Sequence, residues 1–344
     1  MRTEYTRLLG LIEGELGKVL PALPDEAWFS RFFGELPNPP GEEIVRALNA
    51  PSLELLRRGG KRWRPLLLAL SARAFGREDG AISLAPLVEI AHNGTLIVDD
   101  IEDGSDTRRG GPAIHLMYGV DAAVNDGNLL YFLPLALIDE FEAPPELRLA
   151  LHARYALHMR RLHLGQAMDI SWHRSHGFIP PVDHYLSMCA LKTGVLARAS
   201  AELGALAAGA PLAAAAALGS AFESVGVAFQ ILDDVKNLAE GNPGKKRGDD
   251  IVEGKKSLPV ILACAREPRL ARELSRCFDE ARAGGPESGA VEEAIGMIAR
   301  TGALDEAERR ARAILQAVRG VLPGLVPPEP GPAELDGLFP LLEG

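Results

Sequence analysis

Apolar residues recur every three to four positions along most of this chain. The pattern is plain in "EEIVRALNAPSLELLRRG", "PLLLALSARAF", "LAPLVEIAHNGTLIVDDIED", "ELRLALHARYALHMRRLHLGQAMDISW" and "EEAIGMIARTGALDEAERRARAILQAVRGVL". That period belongs to amphipathic helices, and the abundant Ala, Leu, Glu and Arg favour them. Alternating runs of Val, Ile and Thr that would signal strands are missing. Gly and Pro gather at the breaks, in "PNPPGE", "GGPA", "APPE", "GFIPPVD", "GNPGKKRG" and "AGGPESG". The reading is an all-α bundle of about a dozen helices in a single domain, since no linker divides residues 1–344. The closing stretch, "PGLVPPEPGPAELDGLFPLLEG", is too Pro-rich for a long helix and reads as an appended tail or loop.

Leu203 to Phe222 carries no charge and imitates a membrane span. It is mostly Ala and Gly, and Gly209 and Pro211 interrupt it, so two packed helices joined by a turn explain it better. The start of the chain has acids at Glu4, Glu13 and Glu15 and no sustained apolar core of a signal peptide. Cys189, Cys264 and Cys277 are scattered, which suits a reducing compartment and argues against a disulfide scaffold or a zinc site. The expectation is a cytoplasmic protein without a membrane span. The 344 residues, 47% apolar and 24% charged, allow a large core. A formal net charge of −10 with no basic face argues against nucleic acid as the main partner.

The acids are not evenly spread. Asp99 and Asp103 stand four apart at the end of an apolar helix, so both carboxylates share a face one turn apart. Like charges so placed repel unless a cation sits between them. A solvated helix end would account for one such cluster. The chain repeats the device in "AFQILDDVKNLAEG", with Asp233 and Asp234 after a second apolar run and Asn237 four beyond Asp233. Facing each other, two such ends make an oxygen-rich site suited to Mg²⁺, which takes few protein ligands and completes its shell with phosphate oxygens.

Phosphates call for cations, and basic groups flank the acids. Lys61, Arg62 and Arg64 lie in "GGKRWRP", Arg108 and Arg109 follow the first acidic pair, and Lys192 precedes Thr193 in "LKTG". Lys245, Lys246 and Arg247 follow the second pair, then Lys255 and Lys256. Arginine grips phosphate as a fork and lysine as a mobile point charge. His92, two turns before Asp99 on nearly the same face, is a further phosphate donor. Taken singly, each of these has a plainer reading as a solvated surface charge or a satisfied core histidine.

With these motifs in hand, the chain resembles the trans-isoprenyl (polyprenyl) diphosphate synthases, from about Gly59 to Pro259. The match runs in order through "GGKRWRP", "DDIEDGSDTRRGGPAIH", "GQAMDISW", "LKTG", "FQILDDVKN" and "GKKRGDDIVEGKKSLP". Within the family, "HNGTLIVDDIED", "AIHLMYGV" and "GQAMDISW" look most like geranylgeranyl diphosphate synthases. Residues 1–40 and those after about 320 carry no recognised motif and are expected to be peripheral. The resemblance implies a homodimer, a helical bundle around a deep cavity, and head-to-tail condensation of isopentenyl diphosphate with an allylic diphosphate. It implies three Mg²⁺ per site, replaceable by Mn²⁺, held by Asp99, Asp103 and Asp233 with Asp100 and Asp234 in support. Arg108, Lys192, Thr193, Gln230, Lys246 and Lys255 would grip the allylic diphosphate; Lys61, Arg64, His92 and Arg109 would bind isopentenyl diphosphate. Asn237 stands where many relatives have Asp, so it is not counted as a ligand.

The small residues Ala91, Gly94 and Thr95 precede Asp99 by one to two turns and could wall the cavity that receives the growing chain. Close helix packing would explain them equally well. None is bulky enough to stop a C15 product, which points to C20, with C15 and C25 or longer as alternatives. Two other functions fit the acids: a terpene cyclase, which would not need the isopentenyl site, and a non-catalytic regulatory subunit, which would be expected to lose motif residues.

Overall fold

The computed structural model describes residues 2–77, 79, 81–175, 177–241 and 247–343. Its first helices are α1 (Arg2–Val19), α2 (Glu26–Phe33) and α3 (Glu42–Arg57). Leu8, Ile12, Leu16 and Val19 form one buried stripe of α1, at the spacing a helix face requires. Asp25 caps α2 by accepting from the Trp28 amide at 2.8 Å. Next come α4 (Trp63–Ala74) and α5 (Pro86–Asp103), which ends where Gly104 turns left-handed at φ 68°. Beyond them lie α6 (Ile114–Tyr118), α7 (Val120–Phe132), α8 (Ala136–Asp139) and the 30-residue α9 (Pro145–Arg174).

The centre is built by α10 (Val182–Cys189), a π turn over Ala190–Gly194, α11 (Val195–Ala207) and α12 (Leu212–Ala239). All of α11 except Arg198 is buried, packed between α4, α9 and α12. The apolar 203–222 run thus divides at a turn into the end of α11 and the start of α12. Among the described residues α12 is the one helix long and apolar enough to cross a membrane; here it packs on α11 and α17 and carries Asp233 and Asp234. The remainder is α13 (Asp249–Glu253), α14 (Leu258–Arg266), α15 (Leu270–Gly284), α16 (Gly289–Arg300), α17 (Ala303–Val321), α18 (Pro332–Asp336) and α19 (Phe339–Glu343).

The helices outnumber the dozen read from periodicity because one-turn helices such as α6, α8, α13 and α18 are too short to show a period. One small hairpin was not anticipated: β1 (Thr107–Arg108) pairs with β2 (Gly111–Pro112). Arg109 and Gly110 close it at φ 51° and 75°, the positive angles a two-residue hairpin turn demands. This turn folds Arg108 and Arg109 back over the end of α5. The Pro-rich tail also differs from the appended loop expected of it. Leu335, Leu338, Phe339 and Leu342 are buried, Glu334 pairs with Arg73 at 2.9 Å, and α18 lies on α4.

One buried acid sits apart from the clustered carboxylates. Asp126 of α7 is 2% exposed and accepts from Ser52 at 3.2 Å. Burial pushes its carboxyl up to about 7, against the opposing hydrogen bonds from Ser52. The unfolded value is about 3.9. The folded state therefore holds the proton more tightly, and stability falls as pH rises from about 4 through about 7. Asp126→Asn should stabilise the protein more at pH 8 than at pH 5, by about 2.5 kcal/mol at 1.36 kcal/mol per pKa unit. Thermal melts at the two pH values check this; an equal gain at both would contradict it.

Candidate active site

A cavity of about 1030 Å³ opens among α4, α5, α9, the π turn and α12. The acids of α5 do not all face it. Asp99 and Glu102 line the cavity, whereas Asp100 is fully buried and receives the Arg108 guanidinium, Nε at 2.8 Å. Asp103 is also buried, with Lys255 Nζ 3.2 Å away, and neither of its carboxylate oxygens accepts a hydrogen bond in good geometry. Across the cavity on α12, Asp233 is exposed to the space. Asp234 is buried and accepts from Tyr185 at 2.6 Å, Gln230 at 2.8 Å and the Leu258 amide at 3.3 Å. Burial raises its carboxyl to about 6. Asn237 is buried too and accepts from the Asp250 amide at 3.3 Å, so an amide here ties down the start of α13.

Lysines lie directly on the acids. Lys192 Nζ is 3.0 Å from Asp99 and 2.5 Å from Asp169. Lys255 contacts Asp103 and Glu253. Burial would raise the Asp99 carboxyl, but Lys192, Lys255 and Arg108 outweigh it and hold it well below the usual range. Burial likewise opposes the charge of Lys192, and Asp169 and Asp99 more than restore it. Gln166 donates to Asp99 at 2.9 Å and to Glu102 at 2.7 Å. Thr193 donates to Gln230 at 2.8 Å, which joins those two residues into one polar wall. Lys246, with Lys245, lies outside the described residues.

Lys192 owes its position to backbone contact. A Cβ on Gly165 of α9 would lie 2.4 Å from the Lys192 amide nitrogen. One on Gly226 of α12 would lie 2.5 Å from the Gly194 Cα. Only glycine lets α9 and α12 close on the π turn from both sides. Such turns are often found at functional sites.

A second cationic pole lines the same cavity. Arg64 is 8% exposed, stacks 4.6 Å above the Trp63 ring, and lies 3.3 Å from His92 Nε2. Burial lowers Arg64 to about 10; burial and then Arg64 and Arg109 keep His92 well below its ordinary value, hence neutral. Arg109 donates to the Leu55 carbonyl and to Asn93, each at 3.2 Å. Lys61 donates to the Leu341 carbonyl of the tail at 3.2 Å. Arg62 is committed elsewhere, to Glu89 at 2.7 Å, Glu13 at 2.8 Å and the Leu56 carbonyl at 2.7 Å.

Of the three small residues on α5, Thr95 lines the cavity. Gly94 packs against α7, where a Cβ would lie 2.7 Å from the Gly127 carbonyl, and Ala91 is buried in the core. Tyr131 and His163 also line the cavity, with ring centroids 5.3 Å apart and edge to face.

Several site residues were not singled out from sequence. Gln166 and Asp169 stand three apart in "GQAMD", a spacing that puts both on one face of α9. Glu102 lay inside the acidic cluster but off the i,i+4 pair. Tyr185, a lone aromatic in "VDHYLSMC", gave no signal.

The donor set suits a hard divalent cation. It is all oxygen, drawn from two facing helix ends, with a buried carboxylate at Asp103 whose oxygens lack hydrogen-bond donors. Among the described residues no three carboxylates converge into a finished cage, which fits a metal completed by phosphate oxygens.

Residues 45–297 match the model of the polyprenyl synthetase family. The chain is 37% identical over 286 residues to the geranylfarnesyl diphosphate synthase of Aeropyrum pernix, covering 80% of this chain and 86% of the relative. The crystal structure of the geranylgeranyl pyrophosphate synthetase from Pyrococcus horikoshii superposes with a TM-score of 0.82 at 27% identity, covering 100% of this chain and 99% of that one. A polyprenyl synthase from Caulobacter crescentus, complexed with calcium and isoprenyl diphosphate, superposes at 0.77 with 29% identity, covering 98% and 97%. The chain belongs to the polyprenyl synthetase family and is a prenyltransferase. The family uses divalent metal to bind diphosphate.

Proposed function

We propose that this protein condenses isopentenyl diphosphate head-to-tail with dimethylallyl, geranyl or farnesyl diphosphate, stops at geranylgeranyl diphosphate, and releases diphosphate. The observation that carries this reading is one cavity with two anion-binding poles. One pole has facing carboxylates with Lys192, Lys255 and Arg108; the other has Lys61, Arg64, His92 and Arg109. A terpene cyclase has no use for the second pole, and a regulatory subunit has no use for either.

Asp99, Asp103 and Asp233 would hold the metal, with Asp100 fixing Arg108 and Asp234 fixing Gln230. When bound, three Mg²⁺ ions, or Mn²⁺ in their place, supply concentrated positive charge to the leaving diphosphate. Arg108, Lys192, Thr193, Gln230, Lys246 and Lys255 grip that diphosphate as its carbon–oxygen bond breaks and the electron pair departs with it. Cations already in place stabilise such developing charge without reorganisation. The allylic cation left behind lies among Phe229, Leu162 and Leu196, apolar side chains that keep water from it. Lys61, Arg64, Arg109 and neutral His92 hold isopentenyl diphosphate, whose double bond attacks the cation. The proton then lost goes to the released diphosphate.

The proposed chain pocket runs from Asp99 past Thr95, with Tyr131, which lines the same cavity, as its floor. One helical turn is about 5.4 Å, close to the length of one isoprene unit. Tyr131→Ala should open that floor and shift product beyond C20, and Thr95→Phe should block the pocket and shift it to C15 or shorter. Mass spectrometry of products made from isopentenyl diphosphate and each primer with Mg²⁺ checks the reading. Cyclic hydrocarbon or no turnover in the parent would end it, and unchanged product from both variants would move the pocket elsewhere. The Aeropyrum pernix relative, named for a C25 product, favours a longer stop as the second reading.

The protein is proposed to work as a cytoplasmic homodimer. Leu116, Met117, Val120, Val124 and Phe132 of α6 and α7 are exposed apolar side chains that a second copy would cover. Sedimentation equilibrium giving a monomer at micromolar concentration would exclude this.

A further inference from the structure

We infer that Glu89 and Asn93 form a positioning pair that aligns Arg109 for isopentenyl diphosphate; the inference rests on the two-pole reading above. Both residues lie on α5, four apart, and are 3% and 0% exposed. Glu89 Oε1 accepts from Arg62 Nη1 at 2.7 Å and from Asn93 Nδ2 at 3.2 Å. Asn93 Nδ2 also donates to the Glu89 carbonyl at 2.8 Å, which fixes the amide with its oxygen outward. That oxygen accepts from Arg109 Nη1 at 3.2 Å. A continuous chain thus runs from Arg62 through Glu89 and Asn93 to Arg109, and Arg109 lines the cavity.

The arrangement answers an electrostatic problem. Arg62, Arg64 and Arg109 crowd one pole, and both Arg62 and Arg109 lie within 3.3 Å of where a Gly60 Cβ would stand. Like charges so close would splay apart unless a carboxylate is shared among them. Glu13 pairs with Arg62 but is half exposed, so its charge is screened by solvent. Glu89 is the buried partner. Its link to Arg109 passes through a neutral amide, which orients the guanidinium without neutralising it. A fork held at one edge presents the other edge to an incoming diphosphate in fixed geometry. An ion pair serving the fold alone would need Arg62 and Glu89 but not the Asn93 bridge.

The test compares Glu89→Gln and Asn93→Ala with the parent by steady-state kinetics on both substrates, alongside thermal melts. Asn93→Ala leaves the Arg62–Glu89 pair intact. Each variant should raise KM for isopentenyl diphosphate about tenfold, the loss expected for one misaligned charge-assisted contact. KM for the allylic diphosphate and kcat should stay within twofold. A lowered melting temperature with the ratio of the two KM values unchanged would assign the pair to the fold and overturn the inference. A fall in KM for isopentenyl diphosphate would show that Glu89 merely competes with substrate charge, and would overturn it too. If Glu89→Gln does not fold, Asn93→Ala and Asn93→Ser decide. Arg64→Ala and Lys192→Ala serve as controls for the poles, the first selective for isopentenyl diphosphate and the second for the allylic one. If the controls are not selective, the two-pole reading fails; if they are and the Asn93 variants are not, this inference fails alone.

Discussion

Asp99→Asn should lower kcat by about 10²–10³, the loss typical when one group aimed at developing charge is removed from a preorganised site. The amide keeps the shape of the side chain and removes the charge that, on the proposed function, would hold the metal. Folding should survive, because Lys192 keeps Asp169 at 2.5 Å when Asp99 is neutralised. Asp103→Asn should behave alike, since Lys255 retains Glu253 and Asp250. Turnover at saturating substrate and circular dichroism read both effects. A variant within tenfold of the parent, or a parent fully active in EDTA, would contradict the assignment.

Gly165→Ala is expected to be nearly as damaging although the residue touches no substrate. The added methyl would meet the Lys192 nitrogen at 2.4 Å and the Leu191 carbonyl carbon at 2.6 Å, both main-chain atoms that cannot rotate away. Overpacking of this kind costs about 1–3 kcal/mol. Moving a positioning cation by about 1 Å can cost about 10²-fold in rate. The melting temperature should fall and kcat/KM for the allylic substrate should drop about a hundredfold. A variant with parental kinetics would show that the π turn tolerates displacement.

The helical fold and both acidic helix ends were legible because they rest on local rules: a 3.6-residue period and charges repeated at the end of apolar runs. Side-chain direction was not. Asp99 and Asp100 are adjacent in sequence, yet one faces the cavity and the other a buried arginine, and one residue of helical phase decides between them. Asp233 and Asp234 divide in their own way: both border the cavity, but Asp233 is exposed while Asp234 is buried against Tyr185. Thr95 and Gly94 divided likewise, because Gly94 meets the backbone of α7, a partner remote in sequence. The like charges of α5 read as mutually repulsive; besides Arg108 close by, the counterions of Asp99 and Asp103 come from the π turn and the 255 loop, over 80 residues away. The tail was misjudged because its Pro content masks Leu335, Leu338, Phe339 and Leu342, which bury without forming a long helix. Arg62 and Arg64 lie two apart in one motif and both border the cavity, and nothing local tells that the first is held by Glu89 and Glu13 while the second lies beside His92.

The lysines seated on Asp99 and Asp103 bear on how this protein behaves when precursor is scarce. They are resident counterions that offset part of the acids' charge, although neither Asp103 oxygen accepts a hydrogen bond. Lys192 and Lys255 can leave those acids at little cost only when another anion receives them, and on the proposed function the diphosphate would be that anion. Loading would then be a partner exchange in which ammonium groups pass from carboxylate to phosphate. The same ammonium groups would thus serve the resting fold and the bound substrate in turn.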